Sequence, residues 1–243
     1  MSFATFGFAP DWPAPAHVHA WVTERGGAGR FGAGNLGTHV GDDASVVAAN
    51  RARLRAELAL PSEPRWLTQV HGAHVLDLDR EAVVPADGAV TSRTGVVCAV
   101  LTADCLPVLF CDRAGRRVGV AHAGWRGLLA GVLPAAVRAM PGPATDLVAW
   151  LGPAIGPSAY EVGADVREPF VAQSAAAERR FERNTRGRWQ ADLYGLARDA
   201  LAAAGVREVY GGDLCTFAAA ERFFSHRREG QCGRMATLIW LGG

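Results

Sequence analysis

The chain has 243 residues, 49% of them hydrophobic and 20% charged, and a formal net charge of +1. That is enough apolar material for a substantial core in one domain, 1–243, and a near-neutral chain with no block of like charge gives no footing for a nucleic-acid or membrane partner. No apolar run is long enough to span a bilayer, the N-terminus has no signal-like start, and five irregularly spaced cysteines suit a reducing compartment, so a cytoplasmic, disulfide-free protein with no obligate protein partner is expected.

In chain order, His17 to Thr23 alternates as a strand does, and a glycine-rich loop follows from Gly26 to Gly41. Asp42 and Asp43 then precede an alanine- and arginine-rich run to Leu60 that has the pattern of a capped helix. Arg65 to Val70 and His74 to Leu78 are short β-type runs, and the spacing predicts a hairpin with His71 at its tip. Gly95 to Leu101, Leu106 to Cys111 and Arg117 to Ala121 are predicted to form an up-down-up meander. In that meander Cys105 and His122 end up at the same sheet edge, while Pro107 calls for an edge position or a bulge. Trp125 to Met140 has helical spacing that Pro134 interrupts, and Leu147 to Leu151 is a strand. Val162 to Gln173 and Ala191 to Ala204 read as helices, the second closed by Gly205, and Glu208 to Tyr210 and Met235 to Leu241 are closing strands. The hairpins argue against a purely parallel sheet, so the expected class is α+β, with mixed or antiparallel sheets flanked by helices.

All 25 basic residues are arginine. Without lysine, Schiff-base chemistry, a pyridoxal-phosphate lysine and the Walker-type phosphate loop are excluded. Cys105 and His122 with His71 are a ligand set that zinc accepts, and three protein ligands leave a position for water or substrate. The hairpin does not say which edge His71 approaches, so its participation stays open on spacing alone. Gly32-Ala-Gly34-Asn-Leu-Gly37 matches a dinucleotide fingerprint, but the acidic start of the next helix would repel a pyrophosphate, and a substrate loop carrying Asn35 is the better reading. His17 and His19 form the His-x-His pair of copper oxidases, yet seven histidines are too few for mononuclear and trinuclear copper sites together. Cys98 and Cys111 fall in apolar runs and are expected in the core, and His226-Arg-Arg-Glu229 is a candidate anion-contacting loop.

Seven blocks in order carry a resemblance over nearly the whole chain: Asn35-Leu-Gly with Val40-Gly-Asp-Asp43; Thr68-Gln-Val-His-Gly72; Ala86-Asp-Gly-Ala-Val-Thr91; Thr102-Ala-Asp-Cys-Leu-Pro-Val108; Ala121-His-Ala-Gly-Trp-Arg-Gly127; Gly152-Pro-Ala-Ile-Gly156 with Tyr160-Glu-Val-Gly163; and Phe224-Ser-His-Arg-Arg-Glu229 with Gly233-Arg-Met-Ala236. Together they resemble the YfiH-type laccase-domain family, also called multicopper polyphenol oxidase or peptidoglycan editing factor. The resemblance implies a layered αββα fold and a zinc site from His71, Cys105 and His122, with copper as the alternative metal. It also implies phosphorolysis of adenosine, inosine and S-methyl-5'-thioadenosine, with adenosine deaminase as a companion activity. Ser158 stands where many members have cysteine, and Cys232 where threonine is frequent.

On that reading Arg126 and Arg227 neutralise phosphate, and Asn35 and Gln69 orient the nucleoside. Two alternatives stay open on sequence. One is a metal-free Cys105–His122 hydrolase that removes a misincorporated amino acid from a peptidoglycan precursor. The other is a non-enzymatic, metal-dependent binding module.

Overall fold

The computed structural model describes residues 7–82 and 84–243. Its first large sheet has the order β1-β2-β14-β6-β3, built from β1 (Gly7–Phe8), β2 (Val18–Thr23), β3 (Arg65–Trp66), β6 (Cys98–Thr102) and β14 (Met235–Leu241). The second has the order β13-β9-β7-β8-β5-β4, from β4 (Val75–Asp77), β5 (Gly88–Thr91), β7 (Leu106–Asp112), β8 (Val118–Ala123), β9 (Leu147–Leu151) and β13 (Glu208–Gly211). A small third sheet joins β10 (Glu161–Val162), β11 (Phe181–Arg183) and β12 (Trp189–Ala191).

Side-chain alternation stacks the layers. Cys98 and Val100 of β6 meet Leu109 and Cys111 of β7, Val120 of β8 and Ile239 of β14 between the two large sheets. The other face of the first sheet, with Val97, Ala99, Leu101 and Leu238, packs on Leu54 of α1 (Ala44–Glu57). The other face of the second, with Leu106, Val108 and Phe110, is covered by α2 (Trp125–Ala130), α3 (Val132–Ala139), α4 (Ala164–Gln173) and α5 (Leu193–Ala203). The order is helix, sheet, sheet, helices, the αββα arrangement expected, and Cys98 and Cys111 are core residues. A one-turn α6 (His226–Glu229) lies outside these layers. No helix among the described residues is long and apolar enough to cross a membrane.

Four local expectations need correction. β3 and β4 are not a hairpin: β3 runs parallel to β6 in one sheet and β4 parallel to β5 in the other. The Gln69 side chain explains the parting, because its amide donates to Leu101 O and accepts from Leu101 N (2.8 and 2.7 Å), replacing a strand partner as the chain leaves the sheet. The meander is also broken at its first leg. β6 pairs with β14 and β3, while β7 pairs with β8 and β9. Both runs are buried on both faces, so their continuous apolar sequence carries no sign of which sheet each joins. Pro107 lies in an interior strand rather than at an edge; it is tolerated at the start of β7, where Gly152 has no side chain to meet its ring.

The long helix expected from Trp125 to Met140 breaks at Gly131 (φ 88°), not at Pro134. Pro134 is the third residue of α3, inside the first turn, where its missing N–H is not needed. Asp43 caps α1 by accepting from Ser45 N, and Gly205 (φ 91°) follows α5, as their sequence signals require.

Candidate metal and active site

The chain passes from the first large sheet to the second twice, from β3 to β4 and from β6 to β7, and these two passages meet at one end of the sandwich. His71 lies on the first, and Cys105 ends the second. His122 lies in β8 opposite Pro107, so the β7–β8 pairing alone brings it beside Cys105. One ligand-capable atom from each residue lies within 4.8 Å of the others, and the His71 and His122 rings are 4.8 Å apart.

Two left-handed residues set the turns. Asp104 (φ 87°) is held by Thr216 Oγ1 donating to one carboxylate oxygen (2.6 Å) and Arg227 N to the other (2.7 Å). His71 (φ 60°) is held by Asp87, which has no solvent exposure. The Asp87 carboxylate accepts from the N–H groups of Val70, His71 and Gly72 at 3.2, 2.9 and 2.6 Å. It also accepts from His122 Nδ1 at 2.8 Å. A carboxylate on Nδ1 fixes the imidazole tautomer and leaves Nε2 as the ligand atom.

Electrostatics follow this geometry. Burial works against the Cys105 thiolate, but the His122 charge and hydrogen bonds from His122 and His71 outweigh it and bring the thiol down to about 6. Burial likewise disfavours the His122 imidazolium, and Cys105 and Asp87 reverse it, lifting His122 to about 9. For Asp87, burial is outweighed by the His122 bond and the Gly72 and His71 N–H groups, and its pKa is lowered. Cys98 and Cys111, with no such partner, are pushed by burial up to about 12.

The cluster could hold a metal ion. Tetrahedral zinc with bonds of about 2.0–2.3 Å needs donor atoms roughly 3.3–3.5 Å apart, and rotation of the exposed His71 can close the difference. Gly124 makes room for the sulfur, since a Cβ there would stand 2.8 Å from Cys105 Sγ. Among the described residues this is the single group of three or more metal-capable side chains. His17 instead bonds Gly115 O, and His19 stacks on Trp240.

Two cavities open on the cluster. A smaller one of about 290 Å³ is walled by Trp125, Tyr160, Ile155 and Leu193, with Arg126 and Arg227 at its rim. A larger basin of about 620 Å³ is lined by all three cluster residues together with His39, Arg51 and Arg234. Arg126 lies over the Trp125 ring and Arg227 over Tyr160. Asn35 and Gln69 are placed differently. Asn35 is fully buried; its amide bonds Gly37 on both sides, Asp42 and Arg234 N, and so ties one wall of the basin together. Gln69 lines the basin while its amide holds Leu101. Sequence reasoning gave no role to Asp87, Tyr160, Arg51 or Arg234. For Asp87 the signal was an acid inside an otherwise apolar stretch, Ala86 to Val90.

A family model described as multi-copper polyphenol oxidoreductase laccase matches residues 18–242. The chain is 51% identical to a purine nucleoside phosphorylase of Pseudomonas aeruginosa, covering 96% of this chain and 97% of that one. It is 50% identical to the purine nucleoside phosphorylase YfiH of Escherichia coli with the same coverage. A Neisseria meningitidis crystal structure superposes with a TM-score of 0.92 at 46% identity, over 98% of this chain and 100% of that one. YlmD of Geobacillus stearothermophilus gives 0.85 at 33% identity, over 95% and 94%. With the seven sequence blocks, the fold and the clustered His71, Cys105 and His122 in agreement, the chain belongs to the YfiH-type laccase-domain family.

Proposed function

We propose that this protein is a zinc-dependent purine nucleoside phosphorylase acting on adenosine, inosine and S-methyl-5'-thioadenosine, with adenosine deaminase as a side activity. The observation that carries the reading is a cysteine and two histidines gathered between an aromatic cavity and a basic one; relatives of about half identity that bear the phosphorylase name support it.

When bound, zinc would supply a Lewis acid at the junction of the two cavities, able to polarise a ribose or phosphate oxygen or to lower the pKa of water. The chain does the rest. Asp87 keeps the His122 Nδ1 proton in place and leaves Nε2 free. Trp125 and Tyr160 offer flat faces to a purine, and Ile155 and Leu193 keep water from it. Arg126 and Arg227 reach the substrate from the rim. Asn35 and Gln69 serve binding by holding the basin walls. Adenosine with and without phosphate, products resolved, tests the proposal: adenine that forms only with phosphate reports phosphorolysis, inosine without it reports deamination, and neither product refutes the nucleoside reading.

The Asp87–His122–Cys105 chain also favours a second reading, a cysteine nucleophile with an oriented base cleaving an amide of a peptidoglycan precursor. Activity that survives chelation and is lost on Cys105 alkylation selects that reading.

A further inference from the structure

Two sets of arginines flank the cluster, and among the described residues none of Arg51, Arg126, Arg227 and Arg234 has a carboxylate at ion-pair distance. The two sides differ in build. Around the smaller cavity the walls are aromatic and apolar, and the Asp104 carboxylate belongs to its lining. That suits an uncharged purine better than an anion. The basin has no acidic residue in its lining. Only from the basin are all three cluster residues reached, because His122 does not line the smaller cavity.

The basic groups of the basin are fixed before any ligand arrives. Arg51 donates from Nε and Nη2 to Leu36 O (3.0 and 2.8 Å) and lies 4.1 Å over the Trp66 ring, which leaves Nη1 unspent. Arg234 donates from Nη1 to Cys232 O and Gly233 O, which leaves Nε and Nη2. The loop between them is clamped by Asn35, whose side chain accepts from Arg234 N while its own carbonyl accepts from Asn50 Nδ2. Gly37 is part of this fit: a Cβ there would stand 2.8 Å from Arg234 Cγ. His39 closes the loop. Burial lowers its pKa first and the charges of Arg234 and Arg51 lower it further, so the positive charge on this side of the cluster comes from the two guanidinium groups and His39 faces them as a neutral imidazole. Guanidinium donors locked in place and facing no anion bind phosphate at little reorganisation cost.

We propose that the His39–Arg51–Arg234 basin is the phosphate subsite of the phosphorolysis reaction, and that Arg126 and Arg227 meet the nucleoside on the opposite side of the cluster. This rests on the phosphorylase reading. An oxygen of hydrogen phosphate entering from the basin attacks the anomeric carbon of the ribose; the new C–O bond forms as the glycosidic C–N bond breaks, and the purine leaves with the electron pair and ends with the proton that hydrogen phosphate gives up, so that ribose 1-phosphate and the neutral base balance the reaction.

The test uses zinc-loaded protein with inosine and inorganic phosphate, together with direct titration of phosphate followed by phosphorus NMR. Arg51→Met and Arg234→Gln are each expected to raise the phosphate KM roughly ten- to 100-fold, with the inosine KM within about twofold and metal content unchanged. Gly37→Ala keeps every arginine and is expected to raise the phosphate KM in the same direction, which covers the case in which an arginine variant fails to fold. An unmoved phosphate KM in folded Arg234→Gln and Gly37→Ala overturns the assignment. If the wild type cleaves no nucleoside, the phosphorylase reading fails, and the titration still decides the subsite. Phosphate bound by the wild type and lost in the variants sustains it; no binding by the wild type, or equal binding by the variants, overturns it.

Discussion

Replacing Asp87 by asparagine keeps the shape of the hub and removes its charge. The two carboxylate oxygens divide four donors: His71 N and His122 Nδ1 share one, and Val70 N and Gly72 N share the other. An amide presents one oxygen and one NH2, so either the Val70 and Gly72 N–H groups or the His71 N–H and His122 Nδ1 must face a donor. Each buried group left unsatisfied costs about 1–3 kcal/mol, so Asp87→Asn is expected to lose roughly 2–4 kcal/mol of stability at pH 7. Loss of a carboxylate from a ligating histidine lowers metal affinity by about ten- to 100-fold. The pH dependence has a definite sign. The folded-state pKa of Asp87 is depressed, so its contribution is present above the unfolded value of about 3.9 and is lost as pH falls through the folded value. Wild type and variant should therefore converge in stability toward acid. Chelator competition for zinc and urea unfolding at several pH values measure both effects. Zinc affinity within twofold of wild type, with an unchanged unfolding midpoint at pH 7, would refute the role given to Asp87.

In chelator-stripped protein, iodoacetamide should label Cys105 with a rate that rises through pH of about 6, while Cys98 and Cys111, raised to about 12, stay unlabelled in the folded state; peptide mapping reads this directly. Gly124→Ala is allowed by its backbone (φ −69°) but places a Cβ 2.8 Å from Cys105 Sγ, so zinc content should fall while the unfolding midpoint holds. Gly131→Ala forces a left-handed alanine at φ 88° between α2 and α3, which costs about 1–2 kcal/mol and should lower Tm by roughly 2–8 °C in a thermal melt.

Much of the site was legible because short-range signals fix it. The turn from Asp112 to Arg116 pairs β7 with β8, and that pairing alone carries Cys105 to His122. Residues whose partners are remote in sequence were not legible. His122 reaches Asp87 across 35 positions, and Arg234 reaches Asn35 across 199, and no local pattern encodes either bond. The same limit produced the false hairpin and the broken meander. An apolar run reports that a strand is buried on both faces, and β6 and β7 are, but the choice of sheet is made by β14 and β9 far along the chain. Asn35 shows the converse: a polar residue in a glycine-rich loop read as a substrate contact, and its bonds make it the clamp of that loop.

The most direct test of the account is product analysis with inosine, comparing zinc-loaded wild type with Cys105→Ala at matched concentration. The account predicts hypoxanthine and ribose 1-phosphate from the wild type only when phosphate is present, and neither from the variant, which should also have lost its zinc. Equal turnover by Cys105→Ala, or hypoxanthine release independent of phosphate, would contradict it.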